Sequence, residues 1–588
     1  MSYEDDVEKA PKVSKAVEDQ GASGEDSVEY TTQGPFRRFV DSFKRKDVSD
    51  WQREGLTDVE IAARATAEAP LARDLKGRHI QMIAIGGAIG TGLFVGSGTS
   101  LSTGGPAGVL IAYLLVGSML FCTVQALGEL AVRFPISGSF ATLSTRFIDP
   151  AWGFAMGWNY ALQWLVVFPL ELVAASLTIQ FWRTDGSAAA TVNPDAWVAI
   201  FYVVVAVINI FGVRGYGEAE FVFSIIKVTA VIGFIIFGIV INCGGGPHHE
   251  YIGGRYWHDP GAFASGAKGV IAVFVSAAFA FAGTELVGLA SAETANPKKT
   301  LPRAAKQVFW RILIFYVVGL AIVGLLVPYN DPRLLSGTSS ADATASPFVI
   351  AINNAGVRGL PSVINVVILI AVLSVGNSAV FACSRTVAAL AAQKMCPKIF
   401  AYVDRKGRPI VAIGATLIFG LLCFLAGSDK QAEVFDWLLA FSGLSSVVTW
   451  GTICLVHIRF RRALYAQGMT TDVLAFKASL GVWGSVYGFT LNFLVICLQF
   501  WIALFPVGGS PDAEAFFKTY LTVPVVLVFY FGYKIWHWDW RIYFRADNID
   551  VVTGVRELDM DRVIAENEEE KAAIRSRGFL YRTYRWWC

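Results

Sequence analysis

Three ionisable side chains lie inside long apolar runs of this sequence, where a charge is costly unless it is paired or hydrated. They are Glu171, Lys227 and Glu285. Glu285 could accept a proton, recognise a cationic group of a substrate, or brace a break in a helix. Lys227 could take part in a proton relay, since a buried amine can exchange a proton, or it could snorkel from the end of its helix. Glu171 follows Pro169, and we interpret it as structural.

A glycine-rich segment, residues 78–98, indicates a second kind of chemistry. Its flanks are apolar but its middle carries four glycines, and each costs about 1 kcal/mol relative to alanine inside a helix. We expect a membrane helix that is interrupted near the midplane. The freed amides of Gly90, Thr91 and Gly92 then lie at the positive start of a second half-helix, which favours an anion such as a carboxylate. The alternative is close packing of helices, for which the spacing of Gly86 and Gly90 is typical.

A second interruption is predicted five spans later, in Phe279-Ala280-Phe281-Ala282-Gly283-Thr284-Glu285. Small residues and an intramembrane carboxyl group are adjacent there. Two broken helices at matching positions in two halves of a chain indicate an inverted repeat with a site at the membrane midplane. The elements that position the site are therefore expected to be two opposed, broken helices.

Composition limits the class of protein. The chain has 588 residues, of which 54% are hydrophobic and 16% charged, and such an apolar chain is typical of a polytopic membrane protein. A net charge of +2 argues against a nucleic-acid partner. The eight cysteines form no Cys-x-x-Cys pair, so we expect neither a metal site nor a disulfide framework. Because the first seventy or so residues are polar, the first apolar segment is expected to act as its own insertion signal.

Apolar runs of roughly 20 residues predict the spans of the membrane. We count twelve, namely the opening segment and runs near 107–131, 153–181, 196–213, 221–242, 268–290, 307–328, 361–392, 410–427, 433–457, 484–506 and 520–537. A short outer helix is expected over Ser346–Gly356.

The distribution of lysine and arginine predicts the orientation, because these residues concentrate in cytoplasmic loops. One set of loops is rich in them and contains, among others, Arg146, Lys298, Lys299, Arg303, Lys306, Arg311, Lys394, Arg405, Arg408, Arg459 and Arg461. The opposite loops carry few. With twelve spans, both tails are then cytoplasmic.

These patterns divide the chain into five parts. Residues 36–71 of the first part carry scattered apolar side chains, and we expect them to dock on the inner face, whereas the front of that tail is expected to be disordered. The parts are a partly disordered N-terminal tail (1–75), a first five-helix repeat (76–243), a second five-helix repeat (264–460), two additional transmembrane helices (480–538) and a C-terminal tail (539–588).

Motifs of catalysis are absent from the sequence. It contains no nucleophilic serine elbow, no His-Glu-x-x-His and no Walker loop, so we expect neither an enzyme nor an ATP-driven pump.

Several stretches resemble fungal amino acid permeases of the yeast amino acid transporter family, within the amino acid–polyamine–organocation superfamily. They are residues 78–94, Phe281-Ala282-Gly283-Thr284-Glu285-Leu286-Val287-Gly288, Ala295-Asn296-Pro297, Ser442-Gly443-Leu444-Ser445-Ser446, Thr449-Trp450 and His457-Ile458-Arg459-Phe460-Arg461. The most similar subgroup is the general amino acid permeases. The resemblance implies an all-α polytopic fold with a leucine-transporter-type core of two inverted five-helix repeats and two further helices. It also implies proton-coupled uptake of L-amino acids across the plasma membrane.

The resemblance also implies roles for single residues. The substrate carboxylate is expected at the first break and the ammonium group at the carbonyls of Phe279 and Ala282. The full expected substrate site is Ala88, Ile89, Gly90, Thr91, Gly92, Phe279, Ala282, Gly283, Thr284 and Glu285. The proton is the coupling ion, with Lys227 or Glu285 as its carrier, and no cofactor is expected.

Both tails resemble the regulatory parts of the same family. The resemblance implies ubiquitin acceptors at Lys9, Lys12 and Lys15, an export signal at Asp559-Met560-Asp561 and palmitoylation at Cys588. Ubiquitin ligase adaptors and the export machinery are the partners that follow, besides amino acids, protons and membrane lipid.

The sequence therefore predicts a proton/amino acid symporter of broad specificity. Two alternatives stay open. A narrow permease, for example for basic amino acids, would pair Glu285 with the cation of its substrate. A non-transporting amino acid sensor on the same fold would accumulate no amino acid after reconstitution.

Overall fold

The computed structural model describes residues 37, 40–46, 58–87, 89–182, 192–247, 249–335, 346–427 and 431–555, and the isolated residues 572, 576 and 578. Throughout these ranges the regular structure is helical, apart from two single-residue bridges, Arg45 with Asp404 and Leu75 with Thr294. The predicted positions Ala88, Lys9, Lys12, Lys15, Asp559, Met560, Asp561 and Cys588 lie outside the described residues. The predicted all-α class is confirmed.

The first half of the chain contains the first broken helix and the spans that follow it. Its helices are α1 (Asp58–Ala67), α2 (Gly77–Gly86), α3 (Thr91–Phe94), α4 (Gly96–Arg133), α5 (Ser139–Phe147), α6 (Pro150–Ile179), α7 (Pro194–Ile210) and α8 (Gly212–Asn242).

Local sequence signals fix several helix starts. Asp149 precedes Pro150, and its carboxylate accepts the amide of Trp152 at 2.9 Å. Asn193 and Asn296 cap α7 and the helix that begins at residue 297 in the same way, each followed by a proline. An acceptor side chain at the cap and a proline in the first turn both suit amides that have no intrahelical partner.

Helix α4 is two helices joined at Gly105. The φ of Gly105 is +73°, and a Cβ there would lie 2.7 Å from the carbonyl oxygen of Ala262. Only glycine fits both the conformation and the space. The opening span and the second predicted span therefore meet at this kink, which explains why α4 is longer than the predicted run 107–131.

The second half of the chain has the same order of elements, a broken helix followed by long spans. Its helices are α9 (Gly266–Phe281), α10 (Leu286–Leu289), α11 (Pro297–Arg311), α12 (Gly319–Leu326), α13 (Pro332–Leu335), α14 (Pro347–Asn354), α15 (Leu360–Ala392), α16 (Ile410–Gly420), α17 (Gln431–Ala466), α18 (Gly481–Leu504), α19 (Ala513–Tyr520) and α20 (Thr522–His537). The short helix predicted before the eighth span is present as α14.

Eight helical segments among the described residues are long and apolar enough to cross a membrane. A ninth is the pair α19 and α20, bent by 67°. Helix α7 and the segment from α16 to Phe424 are apolar but shorter. The broken opening span consists of α2, α3 and the part of α4 before Gly105. The protein is thus a multi-pass membrane protein, and the count of twelve spans stays a prediction.

The centre of the bundle is formed by α6, α15 and α17. The most apolar stretches of α6 and α15 are each 78% buried and that of the α17 segment Phe441–Ala466 is 83% buried, against 33% for α18. A bilayer-spanning helix that hides most of its surface must face other helices rather than lipid. Polar side chains on α6, α15 and α17 are therefore inside the protein, where they can form a site.

Residues 40–46 of the N-terminal tail dock on the loop between α15 and α16. That this loop lies on the inner face stays a prediction. Arg408 of that loop ion-pairs with Asp404 at 2.6 Å and donates to the hydroxyl of Ser42 at 3.0 Å. The same guanidinium donates to the carbonyl of Ile210 at the end of α7, at 2.6 Å. One buried cation thus joins residues 40–46 to two parts of the bundle.

The start of the C-terminal tail is also packed on the protein. Arg146 of α5 donates to the carbonyl of Thr553 at 2.7 Å. Burial acts to raise the pKa of Asp550, but Arg146 and the amides of Val552 and Thr553 outweigh it, so the pKa of this carboxyl lies below its ordinary value. The tail that begins at residue 539 therefore starts with an ordered segment.

Candidate functional site

The first predicted break lies between α2 and α3. Helix α2 ends at Gly86, and α3 begins at Thr91 after Gly90, whose φ and ψ are −151° and −149°. The amides of Leu93 and Phe94 both donate to the carbonyl of Gly90, at 3.2 Å. The first amides of a helix have no acceptor within it and form its positive end. Gly90, Thr91 and Gly92 are thus placed where the sequence predicts amide donors.

The second predicted break lies between α9 and α10. Helix α9 ends at Phe281, and Gly283 has a φ of +93°, which a residue with a side chain rarely adopts. Carbonyls near the break are satisfied by side chains: the hydroxyl of Tyr316 donates to Ala280 at 2.8 Å and that of Thr284 to Phe281 at 2.7 Å. Such partners are required because lipid offers none.

The two breaks face each other in direct contact. A Cβ added at Gly92 would lie 2.5 Å from the Cα of Ala280, and one at Gly283 would lie 3.4 Å from the carbonyl oxygen of Gly87. A Cβ at Gly90 would lie 2.3 Å from a methyl group of Val375 on α15. The two interpretations of the glycines are thus both correct, because the same segment interrupts the helix and permits close packing.

Glu285 braces the second break. It is fully buried, and its Oε1 accepts the Gly283 amide and the hydroxyl of Tyr160, each at 3.2 Å. Its Oε2 accepts the indole N–H of Trp450 at 3.1 Å. Three donors from α6, α17 and the break itself converge on one carboxyl group. Of the three roles left open for Glu285, this geometry favours bracing.

Arg311 does not lie in a loop, although the distribution of lysine and arginine predicts a cytoplasmic loop position for it. We counted it among the cations of the cytoplasmic loops, but it is only 1% exposed, at the end of α11 before a π-helical turn, Ile312–Val318. Its Nη1 donates to the carbonyl of Ala84 at 2.5 Å and its Nη2 donates to the hydroxyl of Thr284. A single guanidinium therefore ties the half-helix before the first break to the second break.

Glu171 reaches the first break. The hydroxyl of Thr91 donates to its Oε2, and its Oε1 has no hydrogen-bond partner among the described residues. The side chain is 1% exposed. A buried oxygen without a hydrogen-bond donor is costly. Glu171, which the sequence suggests to be structural, is therefore a candidate residue of the functional site at the first break.

Lys227 does not snorkel. It is fully buried on α8, and its Nζ donates to the hydroxyl of Ser374 on α15 at 2.8 Å. It interacts electrostatically with Glu220, Glu171 and Arg311. The ammonium group is therefore held inside the bundle among other charges, and the interpretation of Lys227 as a snorkelling residue is wrong.

The structure brings the predicted residues together around the two breaks. Ile89 and Thr284 are fully buried beside them, and the carbonyl of Phe279 accepts the amide of Ala282 at 3.1 Å, which leaves it one lone pair. Sequence reasoning missed Tyr160, Glu220, Arg311, Ser374 and Trp450. Glu220 could have been found, because it lies seven residues before Lys227 and so on the same face of one helix.

Polar contacts between α6 and α17 line the core beside the second break. The amide of Gln163 donates to the hydroxyl of Ser446 at 2.7 Å, and Ser445 donates to Gln163 Oε1 at 3.0 Å. Asn159 donates to Thr449 at 3.2 Å. These bonds fix two helices that are expected to line the side-chain part of the site.

A multi-pass helical protein with two opposed broken helices and buried charges has the features of a secondary transporter. Residues 79–544 match the family model described as amino acid permease. The chain belongs to the amino acid permease family.

Its similarity to characterised members extends over nearly the whole chain. It is 63% identical to the general amino-acid permease GAP2 of Candida albicans over 555 aligned residues. The alignment covers 94% of this chain and 93% of the relative. The chain is 57% identical over 568 residues to the general amino-acid permease GAP1 of Saccharomyces cerevisiae, covering 96% and 93%. Among solved structures, the nucleobase-cation-symport-1 family transporter Mhp1 in a closed conformation matches with a TM-score of 0.42 and 15% identity, over 76% of this chain and 96% of that one.

Proposed function

We propose that this amino acid permease takes up L-amino acids of many kinds across the plasma membrane, driven by protons. The observation that carries the proposal is the contact between the two breaks, in which Gly92 of one touches Ala280 of the other. Opposite ends of two half-helices thereby meet within the bundle. Residues 76–243 and 264–460 would form the inverted repeats, with twelve spans in all and both tails in the cytoplasm.

Backbone dipoles match the two charges of an amino acid. The amino end of α3, at Gly90, Thr91 and Gly92, is the positive end of a helix and suits the carboxylate. The carboxyl end of α9, at Phe279 and Ala282, is a negative end and suits the ammonium group. A zwitterion is otherwise costly to bury, because each charge needs compensation in the protein.

Recognition through the backbone supports broad specificity, since it uses only the part that all amino acids share. The two general permeases that the chain resembles support the same reading. The basic-specific alternative needs Glu285 for the substrate's cation, but this carboxyl group already accepts three hydrogen bonds. The protein would act as a transporter rather than an enzyme.

Lys227 is the proposed carrier of the coupling proton. It is buried, and it lies close enough to Glu171 for the two to interact, while Glu171 accepts the hydroxyl of Thr91 at the first break. Through Glu171, the charge on Lys227 can therefore respond to what occupies the break. The expected result for Lys227→Ala is a larger loss of gradient-driven accumulation than of exchange. If both activities persist unchanged in that variant, Lys227 is not the coupling residue.

Uptake into proteoliposomes tests the proposal. Purified protein would be given a panel of labelled neutral, acidic and basic amino acids, with and without an inward proton gradient. Accumulation of all three classes only with the gradient is the expected result. Accumulation of basic amino acids alone would support the narrow permease, and binding with no accumulation of any amino acid would support the sensor.

A further inference from the structure

We propose that Glu220 is the inner acceptor of the coupling proton, which reaches it from Lys227 through the hydroxyl of Ser374. The inference rests on the proton coupling proposed above and assigns a residue that accepts the proton from the carrier. Glu220 and Lys227 lie on α8 and Ser374 lies on α15, so the path joins two helices.

The three side chains form a continuous line of hydrogen bonds. Lys227 Nζ donates to Ser374 Oγ at 2.8 Å, and Ser374 Oγ donates to Glu220 Oε2 at 2.7 Å. All three residues are fully buried. A hydroxyl group both accepts and donates, so it can receive a proton from the amine side while it gives its own to the carboxylate.

Two asparagines fix the orientation of the carboxylate. Asn377 donates to Glu220 Oε1 at 3.0 Å, while its own carbonyl oxygen accepts the amide of Asn209 at 2.8 Å. The Asn209 amide also donates to the carbonyl of Val205, one turn earlier in α7, at 3.0 Å. With Oε1 held by Asn377, Oε2 is directed at Ser374. These amides position the acceptor and are not themselves steps in the relay.

The transfer is balanced in charge and atoms. The N–H bond of the Lys227 ammonium breaks as an O–H bond forms on Ser374, whose original proton bonds to Glu220. The products are a neutral amine, an unchanged serine and a neutral carboxylic acid. Glu220 then releases its proton to water on the inner side, and Lys227 takes up another from the outer side. No further reactant is needed.

The position of Glu220 along α8 suits release towards the cytoplasm. It lies seven residues before Lys227, about 10 Å nearer to the end of the helix at Gly212. In the proposed orientation that end is cytoplasmic. Glu220 therefore lies between the carrier and the inner surface.

An aromatic and ionic cover lies beyond Glu220. The ring of Tyr216, one turn closer to the helix end, stacks on Phe381 at 4.2 Å between centroids. The guanidinium of Arg385 lies 4.2 Å from the same Phe381 ring and is paired with Glu293 at 3.1 Å. The cover must open for Glu220 to meet water, which couples proton release to a movement of α15 against the end of the second broken helix. At the other end of the relay, Glu171 and Arg311 also act electrostatically on Lys227.

Proteoliposomes carrying Glu220→Gln, Ser374→Ala or Ser374→Thr test the inference. Two rates would be measured for each variant: accumulation of a labelled amino acid driven by a proton gradient, and exchange of labelled for unlabelled amino acid without a gradient. We expect Glu220→Gln and Ser374→Ala to lose at least about tenfold in accumulation and to keep exchange within about twofold. Ser374→Thr retains a hydroxyl and should keep both.

The control is Thr386→Val on α15, because the Thr386 hydroxyl donates to a backbone carbonyl of the same helix, that of Ala382, at 2.8 Å. It should keep both rates. If wild-type protein accumulates and Glu220→Gln accumulates equally, the role of Glu220 is refuted while the proposed function stands. If wild-type protein ignores the gradient, both fail. Loss of exchange together with accumulation in Glu220→Gln and Ser374→Ala would show a packing role and would also refute the relay.

Discussion

The two helix breaks are built differently although they touch. The second break is surrounded by side chains that satisfy its backbone: Tyr316 bonds the carbonyl of Ala280, Thr284 bonds that of Phe281, and Glu285 accepts the amide of Gly283. The first break is formed mainly by backbone, and its Thr91 hydroxyl donates to Glu171 on α6 and not to the backbone of the break. The second break is therefore the more strongly supported by side chains, whereas the first break, although it is equally buried, offers mainly backbone groups.

Arg311 is the part that both breaks share. It donates to Ala84 before the first break and to Thr284 in the second. A fixed cation at this position lies at the carboxyl end of α2, where helix dipoles favour positive charge. The breaks are thus tied on one side by an arginine and packed together on the other by Gly92.

The largest effect is expected from filling the contact between the breaks. A Cβ at position 92 would lie 2.5 Å from the Cα of Ala280, so Gly92→Val forces one break to move. We expect loss of uptake together with lower thermal stability of the purified protein. Gly233→Val is the control, because a Cβ at Gly233 meets no atom within 4 Å. Normal uptake by Gly92→Val would show that the breaks need not touch.

Substitution of Arg311, which donates to both breaks, is expected to have the next largest effect. Arg311→Gln loses two hydrogen bonds from a charged group, each of about 1.5–3 kcal/mol, and should reduce uptake and lower the melting temperature. Arg311→Lys keeps the charge but not the fork that reaches both breaks, and an intermediate rate is expected. The control is Arg255→Gln, since Arg255 is exposed and paired with Glu250 in the loop between α8 and α9. Equal uptake rates for all three variants would show that transport does not depend on the contacts of Arg311 with the two breaks.

Glu285→Gln distinguishes a structural role of Glu285 at the second break from a role as carrier of the coupling proton. A glutamine places an N–H₂ group against one of the donors that now converge on the carboxyl group, at a cost of about 1–3 kcal/mol. Because Glu285 acts as a brace, gradient-driven accumulation and exchange should fall together, by about tenfold. Glu514→Gln, at an exposed ion pair with Lys518, serves as control. Loss of accumulation with exchange intact would instead identify Glu285 as the carrier.

The smallest effect is expected at the hydroxyl of the first break. Thr91→Val removes the donor to Glu171 and leaves a buried carboxylate oxygen unpaired, which should raise KM about fivefold at a cost near 1 kcal/mol. Thr91→Ser keeps the hydroxyl and should restore the wild-type KM. An unchanged KM in the valine variant would mean that Glu171 plays no part in substrate binding.

Much of this arrangement could be predicted from local sequence. Four glycines in a short apolar stretch are costly in a continuous helix, and Gly283 near Glu285 indicates the second break in the same way. Lys227 was visible because apolar residues surround it on both sides. The docking of residues 40–46 followed from apolar side chains in an otherwise polar tail.

The rest depended on tertiary contacts. Arg311 lies near the end of an apolar run, where a cation normally indicates a loop, and only its contacts with Ala84 and Thr284 show its position in the core. Tyr160 and Trp450 are more than 100 residues from Glu285 in sequence, so nothing local pairs them with it. Ser374 is one of many serines in spans until its contact with Lys227 is known.

The most direct test of the account is competition for uptake by amino acids that lack one charge. L-alanine, L-alaninamide and N-acetyl-L-alanine would be compared as inhibitors of labelled L-alanine uptake into proteoliposomes, alongside amino acids that differ only in the side chain. The account predicts that loss of either charge weakens inhibition by at least about tenfold, because each charge bonds to a helix end, whereas changes of side chain have smaller effects. Inhibition by the amide or the acetyl derivative as strong as that by L-alanine would contradict recognition through the two breaks.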